Sequence, residues 1–125
     1  MSKSYIPYLQ HILDECHYIQ SVITDDVVLY QFLSDETLKR AVTRSLSIIG
    51  EATKKIPANV KLEWKDVSWK EMAGMRDRLV HDYMGVNYFI VWDVAKNIIP
   101  QLTVQIESVI NIANSEDFVQ FSAEK

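Results

Sequence analysis

The residues best suited to chemistry in this 125-residue chain lie between Gly74 and Gly85, a segment reading Gly-Met-Arg-Asp-Arg-Leu-Val-His-Asp-Tyr-Met-Gly. Arginine carries a permanent planar charge whose paired donors match a phosphate. Histidine gives and takes protons near neutral pH. Arg76 and His81 therefore suit work at a phosphoryl centre. Asp77 stands one helical turn before His81, and in a continuous helix it would hold the imidazole through its second nitrogen. Arg76 and Tyr83 share a helix face, whereas His81 points about 140° away from Arg76 in an unbroken helix. One chain then converges poorly on a single phosphate unless the helix end unwinds. Two copies related by a two-fold axis would form one shared cleft more simply. Each residue also has an ordinary reading, because cations near a helix C-terminus offset the macrodipole and a tyrosine there seals a core edge.

Helical periodicity surrounds this segment. Ile6, Leu9, Leu13, Cys16 and Ile23 make one apolar stripe. Thr24-Asp25-Asp26 offers capping oxygens to a short helix over Val27 to Leu33. Ser34 and Asp35 open a longer helix reaching about Lys55, with Leu38, Val42, Ser45, Ile49 and Ala52 inward and Pro57 as its stop. Periodicity lapses from Ala58 to Val67, which reads as a loop. Ser68-Trp69-Lys70-Glu71 has the form of a capping box, opening a third helix whose apolar stripe is Met72, Met75 and Leu79 and whose left-handed stop is Gly85. Asn87 caps a fourth helix, with Val86 placed to pack on Val91. Its seam runs through Ile90, Val94, Ile98, Leu102, Ile106, Val109 and Ala113, and Pro100 should kink it by removing a hydrogen bond to Lys96. The expected fold is all-α: one domain over 1–125, an antiparallel up-down four-helix bundle with an extra short helix, fraying over about 114–125.

Composition excludes several alternatives. Three Gly and three Pro are too few for the turns of a β-sandwich or barrel. Every apolar run is too short to span a membrane. The single cysteine, Cys16, has no intrachain partner, and the N-terminus lacks a signal-peptide apolar region, so a cytoplasmic protein is expected. The net charge is −4, yet ten of the thirteen basic residues fall between Lys39 and Arg78 against five acids. That cationic middle fits a polyanion surface, and equally a set of solvated lysine-rich helix faces. His11 and His17 are too far round their helix to chelate, so no metal is expected. Neither a Gly-rich phosphate loop nor a serine nucleophile motif occurs, and Trp64, Trp69 and Trp92 read as core or interface anchors rather than a base-stacking platform.

Three phrases together resemble the HepT family, the toxin branch of the HEPN superfamily. They are Ile48-Ile49-Gly50-Glu51-Ala52-Thr53-Lys54-Lys55-Ile56-Pro57, the run from Trp69 to Val86, and Ile90-Val91-Trp92. The likeness extends from about Ile6 to Ile112. It implies a small helical bundle in which Arg76, Asp77 and His81 match the superfamily's arginine, polar residue and histidine, and Tyr83 matches the tyrosine two residues further on. It also implies a metal-independent, cofactor-free endoribonuclease acting on RNA rather than DNA, as a homodimer whose two motifs line one cleft. The implied partner is a minimal nucleotidyltransferase antitoxin that silences the toxin by adding AMP to the motif tyrosine. Glu51 and Arg78 stay open, each either a supporting cleft residue or a solvated surface charge. Two rival readings remain beside RNA cleavage by the ribose 2′-oxygen. One is a non-catalytic helical module that binds a nucleotide or the nucleotidyltransferase through the same cations. The other is a purely structural subunit.

Overall fold

The computed structural model describes residues 4–81 and 85–123, with side chains placed over 4–79 and 85–115. Helix α1 (Ile6–Val22) starts with Pro7 in its first turn and buries Leu9, Ile12, Leu13, Cys16 and Ile19. Proline is tolerated there because its missing N–H would lack an intrahelical partner anyway. Helix α2 (Leu29–Ser34) is capped by neither Thr24 nor the two aspartates. Instead the Gln31 side chain reaches back to accept from the Val28 N–H at 3.0 Å. Asp35 opens α3 (Glu36–Thr53) as expected, its carboxylate accepting from the Leu38 N–H at 2.9 Å. A hydrogen bond from Lys39 holds the Glu36 carboxyl in that first turn below its ordinary value.

The segment expected to be a loop contains a helix, α4 (Ala58–Glu63), which begins directly after Pro57. It buries only Val60, too little repetition to register as periodicity. The Trp69 indole N–H donates to the Trp64 carbonyl at 2.9 Å and closes the connection. The third helix also departs from expectation. Ser68 makes no side-chain cap bond, and the helix divides at Gly74 into α5 (Trp69–Ala73) and α6 (Met75–Leu79). It stops at Leu79 rather than Gly85. Val80–His81 forms a strand, β1, paired antiparallel with β2 (Gly85–Val86) in the register Val80 to Val86 and His81 to Gly85. The Asn87 N–H then donates to the Leu79 carbonyl at 2.9 Å, so a helix-end acceptor is taken by the returning chain. Gly85 does hold the left-handed conformation at φ 76°, but inside this hairpin.

Asn87 caps α7 (Tyr88–Asp93) by accepting from the Phe89 and Ile90 N–H groups. A π turn over Val94–Ile98 joins α7 to α8 (Ile99–Ala123), in which the Ile99 N–H reaches back to the Val94 carbonyl. The disturbance expected from Pro100 thus takes the form of a widened turn just before it. Helix α1 packs on α3 and α8, and α3 packs in turn on α5, α6 and α7. Leu9, Ile12, Leu46, Ile49, Met72, Met75, Leu79, Ile99 and Ile106 are fully enclosed at the centre. Phe32 meets Trp92 at a ring separation of 5.4 Å, and the Lys39 ammonium lies 4.7 Å over the Tyr88 ring. The architecture is all-α, with the two-residue strands as a local clasp. Among the described residues no helix is long and apolar enough to cross a membrane.

Cys16 is enclosed in this core, and burial, followed by the nearby Glu15 charge, pushes its thiol from 9.0 up to about 12 against a lowering contact from Thr103. At pH 8 the folded protein therefore holds roughly a thousandfold less thiolate than the unfolded chain. Because the folded value is raised, this preference stabilises the fold below pH 9 and fades as pH climbs towards 12. Iodoacetamide at pH 8 should leave native Cys16 unmodified and label it quantitatively in urea. Rapid labelling without denaturant would show that the α1–α8 contact opens readily.

Candidate functional site

The position of the site follows from a close approach of two backbones. A Cβ atom at Gly50 would stand 3.1 Å from the Met72 carbonyl oxygen and 3.5 Å from the Met75 Cβ. Helix α3 can therefore lie against the α5–α6 junction with little side-chain bulk between them. Met75 is fully buried in that contact, which leaves the next residue, Arg76, exposed beside α3. On α3 the same step occurs: Gly50 is buried and Glu51 is exposed. Arg76 and Glu51 consequently line one open cleft of about 540 Å³.

Helices α1 and α3 form the rest of the cleft. Tyr8 and His11 border it from α1, three residues apart and so on one helix face. Their rings meet edge to face, 6.3 Å apart at 82°. From α3 come Arg44, Ser47, Ile48 and Glu51, a stripe at helical spacing that runs beside the buried row Val42, Leu46 and Ile49, and Lys55 follows from the turn after the helix. Three permanent cations, Arg44, Lys55 and Arg76, thus share a single concavity. Among the described residues none of the three forms an ion pair. Among the described lining residues the one carboxylate, Glu51, is engaged by Lys54 at 3.3 Å. That pair is half exposed and contributes about 0–1 kcal/mol. The cleft is a net positive depression, with hydroxyl and imidazole groups in reach of whatever anion enters.

Of the residues singled out by sequence, the structure brings Arg76 and Glu51 together. Asp77 and Arg78 are exposed on α6 and do not line the cleft. The backbone of His81 lies in β1, two residues beyond the end of α6, while its side chain and all of Tyr83 lie outside the described residues. With α6 ending at Leu79, neither the 140° divergence of Arg76 and His81 nor the one-turn relation of Asp77 to His81 applies. Both assumed an unbroken helix, and a shared cleft between two chains no longer follows from helical phase. Tyr8, His11, Arg44 and Lys55 were missed as site residues. The spacing of Arg44, Ser47 and Glu51 marks a polar face on α3, but nothing in one helix tells which neighbour will turn that face into a cleft. His17 is occupied elsewhere, 3.1 Å from the Glu107 carboxylate on α8. Among the described residues no cluster of His, Cys, Asp or Glu has the form of a metal site. The tryptophans are structural: Trp69 is buried, and Trp64 and Trp92 pack against the core.

The Gly50 contact yields a direct test. Alanine gains about 1 kcal/mol of helix propensity over glycine. At this position its methyl group meets a backbone carbonyl, which yields less easily than a side chain, and overpacking costs about 1–3 kcal/mol. Gly50→Ala should therefore be less stable by about 1 kcal/mol net in urea unfolding. A gain in stability would mean that α3 and α5 have room to separate.

Comparison with known proteins points the same way as the fold and the cleft. The profile of a family described as Ribonuclease HepT-like matches residues 12–115. The chain is 43% identical over 104 residues to a protein of Caldanaerobacter subterraneus named as a candidate RNase, covering 83% of this chain and 92% of that one. It is 37% identical over 108 residues to a similarly named protein of Methanocaldococcus jannaschii, with 85% and 89% covered. It is 38% identical over 109 residues to the "Probable ribonuclease HepT" of Thermococcus cleftensis, with 87% and 98% covered. No solved structure matches. On its match across most of its length, at these identities and with this all-α fold, the chain belongs to the HepT-like ribonuclease family of the HEPN superfamily.

Proposed function

We propose that this protein is the toxin of a toxin–antitoxin pair, an endoribonuclease that cuts RNA by internal transesterification without a metal. The observation that carries the reading is the convergence of Arg76 in one cleft with two further cations that have no ion-pair partner among the described residues, the α6 helix that supplies Arg76 ending just before His81. The ribose 2′-oxygen attacks the adjacent phosphorus, the bond from phosphorus to the 5′-oxygen breaks, and a 2′,3′-cyclic phosphate remains. The 2′-hydroxyl loses a proton and the departing 5′-oxygen gains one. His81 serves as base or acid in that exchange, and Arg76 steadies the charge that develops on the phosphoryl oxygens. Family membership supports the ribonuclease activity, and the rival reading as a non-catalytic binding module predicts no cleavage at all.

His81→Ala should lower cleavage about 10²–10⁴-fold in EDTA-containing buffer with the fold retained by circular dichroism. Undiminished cutting would remove His81 from the reaction. Arg76→Lys should also be strongly impaired, since a point-like ammonium cannot reproduce the planar two-pronged contact. The resemblance to HepT toxins further supports a homodimer and a cytoplasmic setting.

Silencing by a nucleotidyltransferase antitoxin belongs to the same proposal, with Tyr83 as the AMP acceptor. An AMP phosphate added to the motif tyrosine would compete for the cations that the RNA needs and repel the incoming strand. Intact mass after co-expression with a cognate nucleotidyltransferase should rise by whole AMP units in the wild type and stay unchanged in Tyr83→Phe. Modification that persists in the phenylalanine variant would place the acceptor elsewhere.

A further inference from the structure

The cleft extends well beyond Arg76. Arg44 lies nine residues before the end of α3 at Thr53, about 13.5 Å along the helix axis at 1.5 Å per residue, and Lys55 lies in the turn just beyond that end. That length is more than one scissile phosphate needs. Both cations border the same concavity as Arg76, and neither has an ion-pair partner among the described residues. The opposite wall is aromatic. Tyr8 and His11 meet at 82°, so they do not stack on each other, and at least one face of each ring is left uncovered by the other.

A cationic rail facing an aromatic wall is the arrangement that holds a single nucleic-acid strand, with the rail tracking phosphates and the rings receiving unstacked bases. A duplex keeps its bases paired and stacked, and so offers nothing to the aromatic wall. We propose that the α1–α3 groove is the track for single-stranded RNA flanking the cleavage position, with Arg44 and Lys55 each holding a backbone phosphate and Tyr8 receiving a base. This rests on the ribonuclease reading above and adds the form of the substrate, an unpaired strand of several nucleotides, together with the residues that position it. Arg44, Lys55 and Tyr8 are positioning residues, and the reacting phosphate stays with Arg76.

The test measures binding of a fluorescein-labelled single-stranded RNA oligonucleotide to the full chain carrying His81→Ala, over a series of salt concentrations. Each phosphate contact on a single strand contributes roughly 0.7 to the slope of log affinity against log salt. Adding Arg44→Gln and Lys55→Gln should therefore flatten the slope by roughly 1.4. Adding Tyr8→Leu instead should weaken binding roughly tenfold at fixed salt while leaving the slope alone, and Tyr8→Phe, which keeps the ring, should restore it. A duplex of the same sequence should be indifferent to Tyr8→Leu. An unchanged slope in the double glutamine variant, or equal loss for Tyr8→Leu and Tyr8→Phe, overturns the track. If wild-type protein still cleaves RNA in that case, the ribonuclease reading survives without it. If wild-type protein neither binds nor cuts RNA, both fall together.

Discussion

The contact between α3 and the α5–α6 junction at Gly50 is the constraint from which the cleft follows. With a hydrogen in place of a side chain, the α3 backbone comes within van der Waals range of the Met72 carbonyl. Two consequences are set by that one approach. Met75 is drawn fully into the core, so helical rotation puts Arg76 outside. Gly50 is likewise inside, so Glu51 is outside and on the same edge. An arginine and a glutamate far apart in sequence become neighbours because two adjacent positions are packed. A larger residue at position 50 would move the arginine-bearing helix bodily, since a packed core transmits displacement rather than absorbing it.

Electrostatics and stability pull in opposite directions along this edge. Arg44, Lys55 and Arg76 share a concavity, and among the described residues none is neutralised by a carboxylate. Like charges in one depression destabilise the folded chain until an anion arrives, so their grouping does nothing for the fold. The opposite arrangement is found where the fold alone is served. Lys39 is anchored by Glu36 at the start of α3 and lies over Tyr88, and Lys96 lies over Trp92 and donates to the Thr24 carbonyl. Cations that hold the bundle together have partners, and cations of the cleft have none among the described residues.

Strongly periodic elements were legible in the sequence because their burial is repetitive. The α1 stripe, the α3 stripe with its Asp35 cap, and the long C-terminal seam with its Asn87 cap each show their pattern over several turns. Shorter elements were not legible. Helix α4 buries a single valine, and the stop at Leu79 depends on a hydrogen bond from Asn87 that exists only once the chain has turned back. Arg76 was legible as a candidate from its residue type and its place beside His81, and Glu51 only alongside the resemblance to a known family. Tyr8, His11, Arg44 and Lys55 were not, since each is an unremarkable polar-face residue until α1 and α3 are laid side by side. A site formed between helices is a property of their packing, which one helix's spacing does not contain.

The early end of α6 alters how the motif is held. In a continuous helix Arg76 and His81 would be fixed on divergent faces, and only a second chain would reconcile them. In the structure the chain leaves the helix after Leu79, and the backbone of His81 is set instead by its pairing with Gly85. Two features hold that hairpin: the Asn87 N–H bonded to the Leu79 carbonyl, and a left-handed Gly85 that lacks the steric cost a side chain would meet there. Asn87 does double duty, because its side chain also starts α7 and so anchors the returning strand to the core through the buried Val91. The arginine is thus positioned by helix packing at Gly50 and the histidine backbone by a clasp at Gly85. The backbone positions of residues 76 and 81 are therefore not tied to each other by the pitch of a single helix.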